Sequence, residues 1–185
     1  FNFLEQLMDM NLNMLFVGDF YQHTYDTSRD GNVNHGLFDD ISRYEKRFSN
    51  KGFIVDKTTL QKSWRCGEKI CQFVRKNLGI EIYSNIQDSN SNIEFVTSAQ
   101  MIDCILGDNS IIKLHYQKSS EFGNCHKNWG DTKGEDKYDD VCVMLNKSTG
   151  EKYKKGILNE LPGLTRNKLY VAITRARGNV YLIDE

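Results

Sequence analysis

The sequence predicts an α/β fold, a mainly parallel sheet flanked by helices, and three observations carry that prediction. Residues 164–184, LTRNKLYVAITRARGNVYLID, pass from helical period to strand period. Leu169, Ala172, Ile173 and Ala176 share one helical face, Gly178 ends the helix, and Val180-Tyr181-Leu182-Ile183 reads as a buried strand. Strand, helix and strand follow one another over 92–115, an order that makes right-handed parallel crossovers. The apolar run Asn13-Met14-Leu15-Phe16-Val17 closes on Gly18-Asp19. A strand ending so belongs at the C-terminal edge of a parallel sheet, where open α/β folds bind ligands.

The chain has 185 residues, room for one sizeable core or for one domain and part of another. Hydrophobic residues make up 39% and charged residues 26%, the profile of a soluble globular protein, and no apolar run has membrane-spanning length. No signal peptide is read, and the first residues, FNFLEQLMDM, look like the interior of a domain, so a piece of a longer protein is expected. The formal net charge of −1 excludes a bulk-basic nucleic-acid binder, and any such contact must be local. Five cysteines, odd in number and without a CxxC pair, read as reduced thiols of a cytoplasmic protein. Cys125-His126 would make a zinc module only with two further ligands, and no second pair stands at zinc spacing.

The elements follow in chain order. Residues 1–9 read as the end of a helix with Phe3, Leu4 and Leu7 apolar. The loop after the 13–17 strand holds Asp19 and Gln22 beyond a buried edge, with His23 and Tyr25 adding a donor and a stacking face; an ordinary polar loop is the alternative. Residues 36–48 place Leu37, Ile41, Tyr44 and Phe48 on one helical face, and Gly52 stops that helix. Residues 53–60 suit a strand by β-branched content. Ile70, Phe73, Val74 and Leu78 give a helix over 67–78, with Arg65 just before its start. An arginine there can share an anion with the helix N-terminus, or make a surface salt bridge.

Residues 79–92 are polar and read as a loop after a brief extended piece. A strand at 92–96, a helix capped by Thr97 or Ser98, and a strand at 111–115 come next. Residues 116–138 form a long polar loop, functional or disordered, leading into a strand at 140–145. The lysine-rich stretch 147–160 reads as a solvated insertion or a nucleic-acid contact, and Pro162-Gly163 punctuates the chain before the last helix. That helix is read as ending in Thr174-Arg175-Ala176-Arg177. A guanidinium cannot shed its charge, so two arginines at the mouth of a buried unit either fork onto a phosphate or lie solvated at a helix C-terminus.

Four stretches, in order, resemble the UvrD-like superfamily 1 DNA helicases, and they span nearly the whole chain. Gly18-Asp19-Phe20-Tyr21-Gln22-His23-Thr24-Tyr25 is similar to motif III, G-D-x-x-Q-x-x-Y. Leu60-Gln61-Lys62-Ser63-Trp64-Arg65-Cys66 resembles motif IV. Thr132-Lys133-Gly134 through Tyr138-Asp139-Asp140-Val141 resembles motif V. Leu169-Tyr170-Val171-Ala172-Ile173-Thr174-Arg175-Ala176-Arg177 is very similar to motif VI, the most specific of the four.

The resemblance implies a RecA-like P-loop NTPase architecture. Residues 1–50 would be the tail of a first motor domain with its connector, and 51–185 the second RecA-like domain. It implies ATP hydrolysis with Mg²⁺, and as partners ATP, single-stranded DNA and the missing N-terminal motor domain, with no membrane. Gln22, with Asp19 beside it, would sense the γ-phosphate, and Arg65 and Arg175 would act as arginine fingers. Glu135 would meet the nucleotide sugar, with Asp136 as its rival. Thr132 and Lys133 would face the DNA backbone, and Tyr25 and His23 a base.

The chain departs from the pattern in three ways. Motif V carries one residue more than usual between Lys133-Gly134 and Tyr138-Asp139. Asp26-Thr27-Ser28 stands where a tryptophan is usual after motif III. No G-x-x-x-x-G-K-S/T loop and no Asp-Glu pair precede motif III, so these residues alone should hydrolyse ATP poorly or not at all and hold no nucleotide tightly. The alternative is a non-catalytic RecA-like module that binds nucleic acid or a protein.

Overall fold

The computed structural model describes residues 2–10, 12–24, 40–86 and 90–185. Helix α1 (Asn2–Met8) is followed by an extended segment and a short 3₁₀ turn at Phe20–Gln22, then by helix α2 (Ile41–Ser49). Strands β1 (Lys62–Ser63) and β2 (Tyr83–Ser84) pair in parallel on either side of helix α3 (Glu68–Leu78). Strand β3 (Ile93–Phe95), helix α4 (Ala99–Gly107), strand β4 (Ile112–His115) and strand β5 (His126–Asn128) come next. Strand β6 (Val141–Leu145), helix α5 (Lys147–Lys154), helix α6 (Gly163–Ile173) and strand β7 (Val180–Asp184) complete the chain.

The fold is α/β. Five strands form one all-parallel sheet in the order β3-β7-β6-β4-β5. Successive residues of a strand face opposite sides, so β6 and β7 must be apolar throughout if both faces are covered. Up to the exposed Asp184 that ends β7 they are: Val141, Val143, Leu145, Val180 and Leu182 join the larger core with α3 and α6, while Cys142, Met144 and Ile183 pack against Ile105 of α4. Helix α3 stops at Gly79, which takes the left-handed conformation (φ 65°) and donates its N–H to the Arg75 carbonyl, the αL cap that glycine adopts without a Cβ penalty.

Several expectations are corrected. Residues 13–17 and 53–60 form no strand: Leu15 is 88% exposed and Ile54 98%, and β1 begins only at Lys62. The apolar content is there, but no described neighbour offers a ladder, and a strand exists only by pairing. The polar stretch 116–138 contains edge strand β5, which pairs with β4. The lysine-rich stretch is no simple solvated insertion. Asn146 caps α5 by accepting from the Thr149 N–H at 3.0 Å, and Thr149 and Gly150 are buried. Helix α6 ends at Ile173, so Thr174 to Arg177 form a turn rather than helix. Of the predicted helix 36–48, residues 36–39 lie outside the described ones, and α2 starts at Ile41.

Candidate phosphate site

The turn after α6 is built by local hydrogen bonds. Thr174 Oγ1 donates to the Tyr170 carbonyl at 2.8 Å, which closes the last helical turn from within. The chain is then stitched to the segment before β6. The N–H of Arg177 donates to the Tyr138 and Asp139 carbonyls, that of Gly178 to Asp139, and that of Asn179 to Asp140 Oδ1 at 2.6 Å. A Cβ on Gly178 would collide with Asp140 Oδ1, so this position needs glycine for closeness of approach.

Arg175 is thereby placed inside the protein, with 3% exposure. Its Nε donates to the Val171 carbonyl at 3.1 Å, and its Nη1 to the carbonyls of Thr132 (3.3 Å) and Glu135 (3.2 Å). These acceptors are neutral. Burial, and then the positive charge of Arg65, push the Arg175 pKa below its ordinary value. Even so, a guanidinium stays charged, so a buried cation stands here without a carboxylate bonded to it among the described residues. Of the two readings of the arginines, the solvated one fails for Arg175 and holds in part for Arg177, whose side chain is 52% exposed.

Arg65 joins it from the other side of the core. Ser63 Oγ accepts from the N–H groups of Arg65 (3.2 Å) and Cys66 (3.0 Å), a small turn that sets the side chain's direction ahead of α3. Arg65 Nη1 donates to the Thr174 carbonyl at 3.0 Å, and its Nε to Asp136 Oδ1 at 2.6 Å. Trp64 beside it is 79% exposed, a free aromatic face next to a cationic site.

The motif III segment docks on α6. Asp19 Oδ2 accepts from Gln22 Nε2 (2.9 Å) and from the Tyr170 hydroxyl (3.1 Å), while Oδ1 caps the turn at the Tyr21 N–H (2.9 Å). Burial, then the charge of Asp19, raises the Tyr170 pKa, so the phenol remains a donor. The His23 carbonyl accepts from Asn167 Nδ2 at 3.2 Å. Asp19, Gln22 and His23 thus stand against the same helix that delivers Arg175. Tyr25 lies outside the described residues.

In motif V, Thr132 is fully buried with its hydroxyl on the Trp129 carbonyl, and of the pair only Lys133 is exposed. Burial works to raise the Glu135 pKa, but hydrogen bonds from Lys127 (2.5 Å) and Tyr138 outweigh it and hold the carboxyl below its ordinary value. Asp136 stands at the arginines, between Arg65 and Arg177. Tyr170, Asn167 and Trp64 were given no role by the sequence reading, and Arg177 was read only as a phosphate fork or a solvated side chain. For Arg177 and Tyr170 a signal existed, since both lie inside the motif VI stretch.

Among the described residues no group of three or more His, Cys, Asp or Glu could hold a metal ion. Cys125 Sγ donates to the Asn109 carbonyl, and His126 Nδ1 lies 2.9 Å from His115 Nε2, so the zinc module finds no ligand set there. Among the same residues, no helix is long and apolar enough to cross a membrane.

No family model matches the chain, and no curated protein matches it. Among solved structures it is similar to the PRRSV helicase, at 18% identity and a TM-score of 0.43, over 68% of this chain and 23% of that one. The chain therefore spans about a quarter of that helicase's length.

Proposed function

We propose that this chain is the phosphate-sensing part of an ATP-dependent helicase or translocase that works on single-stranded DNA. The observation that carries the reading is Arg175: buried, bonded only to carbonyls, and within the influence of a second guanidinium. Two guanidiniums in one another's field, of which Arg175 has no carboxylate bonded to it among the described residues and Arg65 has Asp136 on its Nε alone, suit a triphosphate end. The four ordered motifs support the same reading.

In this account Arg65 and Arg175 stabilise the negative charge that spreads over the transferring phosphoryl group, a contribution of roughly 10³–10⁵ in rate for arginine fingers. Gln22 orients the attacking water, with Asp19 fixing its amide. Mg²⁺ and the phosphate-cradling loop come from the first motor domain. The carboxylates of Asp19 and Asp136 are already bonded by protein donors. The exposed Leu15 and Val17 are the natural faces for that domain to cover. Lys133 contacts the DNA backbone and Thr132 shapes the turn that presents it, while Tyr25 and His23 meet a base. Glu135, tied to Lys127, keeps the proposed sugar contact only if that tie opens.

Titrating tripolyphosphate into the 185-residue chain tests the anion site. Binding should weaken with salt and be lost in Arg65→Ala; affinity untouched by that substitution contradicts the site. Nucleotide and DNA binding by the intact protein with no turnover would favour the non-catalytic module.

A further inference from the structure

We propose that Asp136 is a positioning residue for Arg65, a role that rests on reading Arg65 as a phosphate ligand. A guanidinium offers donors on three nitrogens. Two are held: Nε by Asp136 Oδ1 at 2.6 Å and Nη1 by the Thr174 carbonyl at 3.0 Å. Among the described residues nothing is bonded to Nη2, which stays open for an anion.

Asp136 is itself anchored by Arg177. Arg177 spans both carboxylate oxygens, with Nε 3.3 Å from Oδ1 and Nη2 3.1 Å from Oδ2, and its Nη2 also donates to the Asp136 carbonyl at 3.1 Å. Arg177 is fixed in turn, because its N–H donates to the Tyr138 and Asp139 carbonyls. The line Arg177–Asp136–Arg65 is therefore tied to the backbone at one end and to the phosphate site at the other. Hydrogen bonds from Arg177 and then Arg65 hold the Asp136 carboxyl at about 2, so it is ionised wherever the protein is folded and working.

The neighbouring peptide does the same for the second arginine, since the Glu135 carbonyl accepts from Arg175 Nη1. Two consecutive residues, 135 and 136, thus set both arginines. They lie in the motif V stretch that is one residue longer than the family pattern, immediately after Gly134 (φ 84°), whose positive φ bends the chain back toward the turn after α6. The extra residue acquires a use: it supplies a carboxylate beside Arg65 while keeping a carbonyl beside Arg175.

The competing role is a plug, in which Asp136 occupies the phosphate's place and must leave. The two are separated by Asp136→Asn, Asp136→Glu and Arg177→Gln, with thermal melts confirming that each variant folds. In the isolated chain, the ¹⁵Nε–¹Hε signal of Arg65 should shift on Asp136→Asn and on Arg177→Gln, and return toward wild type in Asp136→Glu. In the intact motor, Asp136→Asn should lower kcat about ten- to a hundredfold, the size of effect that a small misplacement produces, with little change in the KM for ATP. Asp136→Glu should restore much of it.

An unmoved Nε signal overturns the proposal. So does tighter tripolyphosphate binding by Asp136→Asn with kcat unchanged or raised, which is the plug. If turnover survives Asp136→Asn but not Arg65→Ala, the positioning role alone fails. If the wild-type motor has no turnover, the motor reading fails and takes this role with it.

Discussion

Residues 12–60 and residues 93–184 contain comparable apolar runs, and the two regions treat them in opposite ways. In the first, Leu15, Val17, Ile54 and Leu60 are 88%, 69%, 98% and 74% exposed. In the second, Val141, Val143, Val180 and Leu182 are 0–1% exposed, paired in a ladder and covered by helices. The difference lies in neighbours rather than in composition. An apolar run becomes a strand when a partner offers backbone donors and acceptors, and its side chains become core when another layer covers them. The N-terminal region instead packs its rings on one another, Phe16 against Phe48 and Phe53, and Phe20 against Tyr44.

The sharpest way to break this contrast is to cut the core of one region and the surface of the other. Trp129 is fully buried, its indole N–H donates to the Leu114 carbonyl at 2.9 Å, and its ring meets Tyr116 edge-on. Trp129→Ala should cost about 3–5 kcal/mol in denaturant unfolding. Leu15→Ser should change stability by no more than about 0.5 kcal/mol, as an exposed position does. Equal losses at the two sites would contradict the account of where the core lies.

A smaller effect is expected at Gly178. Its missing Cβ leaves room for the Asp139 carbonyl and Asp140 carboxylate that stitch the turn after α6. Gly178→Ala should cost about 1–3 kcal/mol through that forced shift, and tripolyphosphate binding should weaken with it because the turn carries Arg175. Full stability in this variant would mean that the turn is looser than described.

The smallest effect is a pH dependence at the sheet edge. Burial, and then the charges of His115 and Lys113, lower the His126 pKa below its ordinary 6.5. His115 also lies 2.9 Å from Glu185, so the edge carries one carboxylate against two imidazoles and an ammonium. The unfolded chain therefore takes up a proton more readily than the folded one as pH falls through 6.5, and this site loses stability in that direction. Thermal melts at about pH 7.5 and about pH 5.5 should show a lower Tm at the acid value, and a reduced difference in His126→Asn. No reduction in that variant would place the titration elsewhere. The bridge through Asp136 follows the same sign at much lower pH, intact above its ordinary 3.8 and lost as pH falls through about 2.

The central sheet was legible in the sequence because β6 and β7 are apolar on both faces and flanked by helical periods. Arg175 was legible because the motif VI stretch names it. Strand β5 was not, since His126, Lys127 and Asn128 carry no apolar signal and the strand exists by pairing with β4. Helix α5 hid behind its lysines, although Asn146 gave a cap signal. The stretches 13–17 and 53–60 failed in the opposite direction, as strand-like sequences without a described sheet. At the site, spacing alone left Glu135 and Asp136 as rivals for one role. Only the fold shows that one is tied to Lys127 and the other stands between two arginines.

The most direct test of the central claim is ATP hydrolysis stimulated by single-stranded DNA in the intact protein, with Arg175→Ala alongside. The account predicts turnover in the wild type and its loss in the variant by a factor of about 10³ or more, with nucleotide still bound. Turnover that survives the substitution, or a wild type that binds DNA and ATP without hydrolysis, would contradict it.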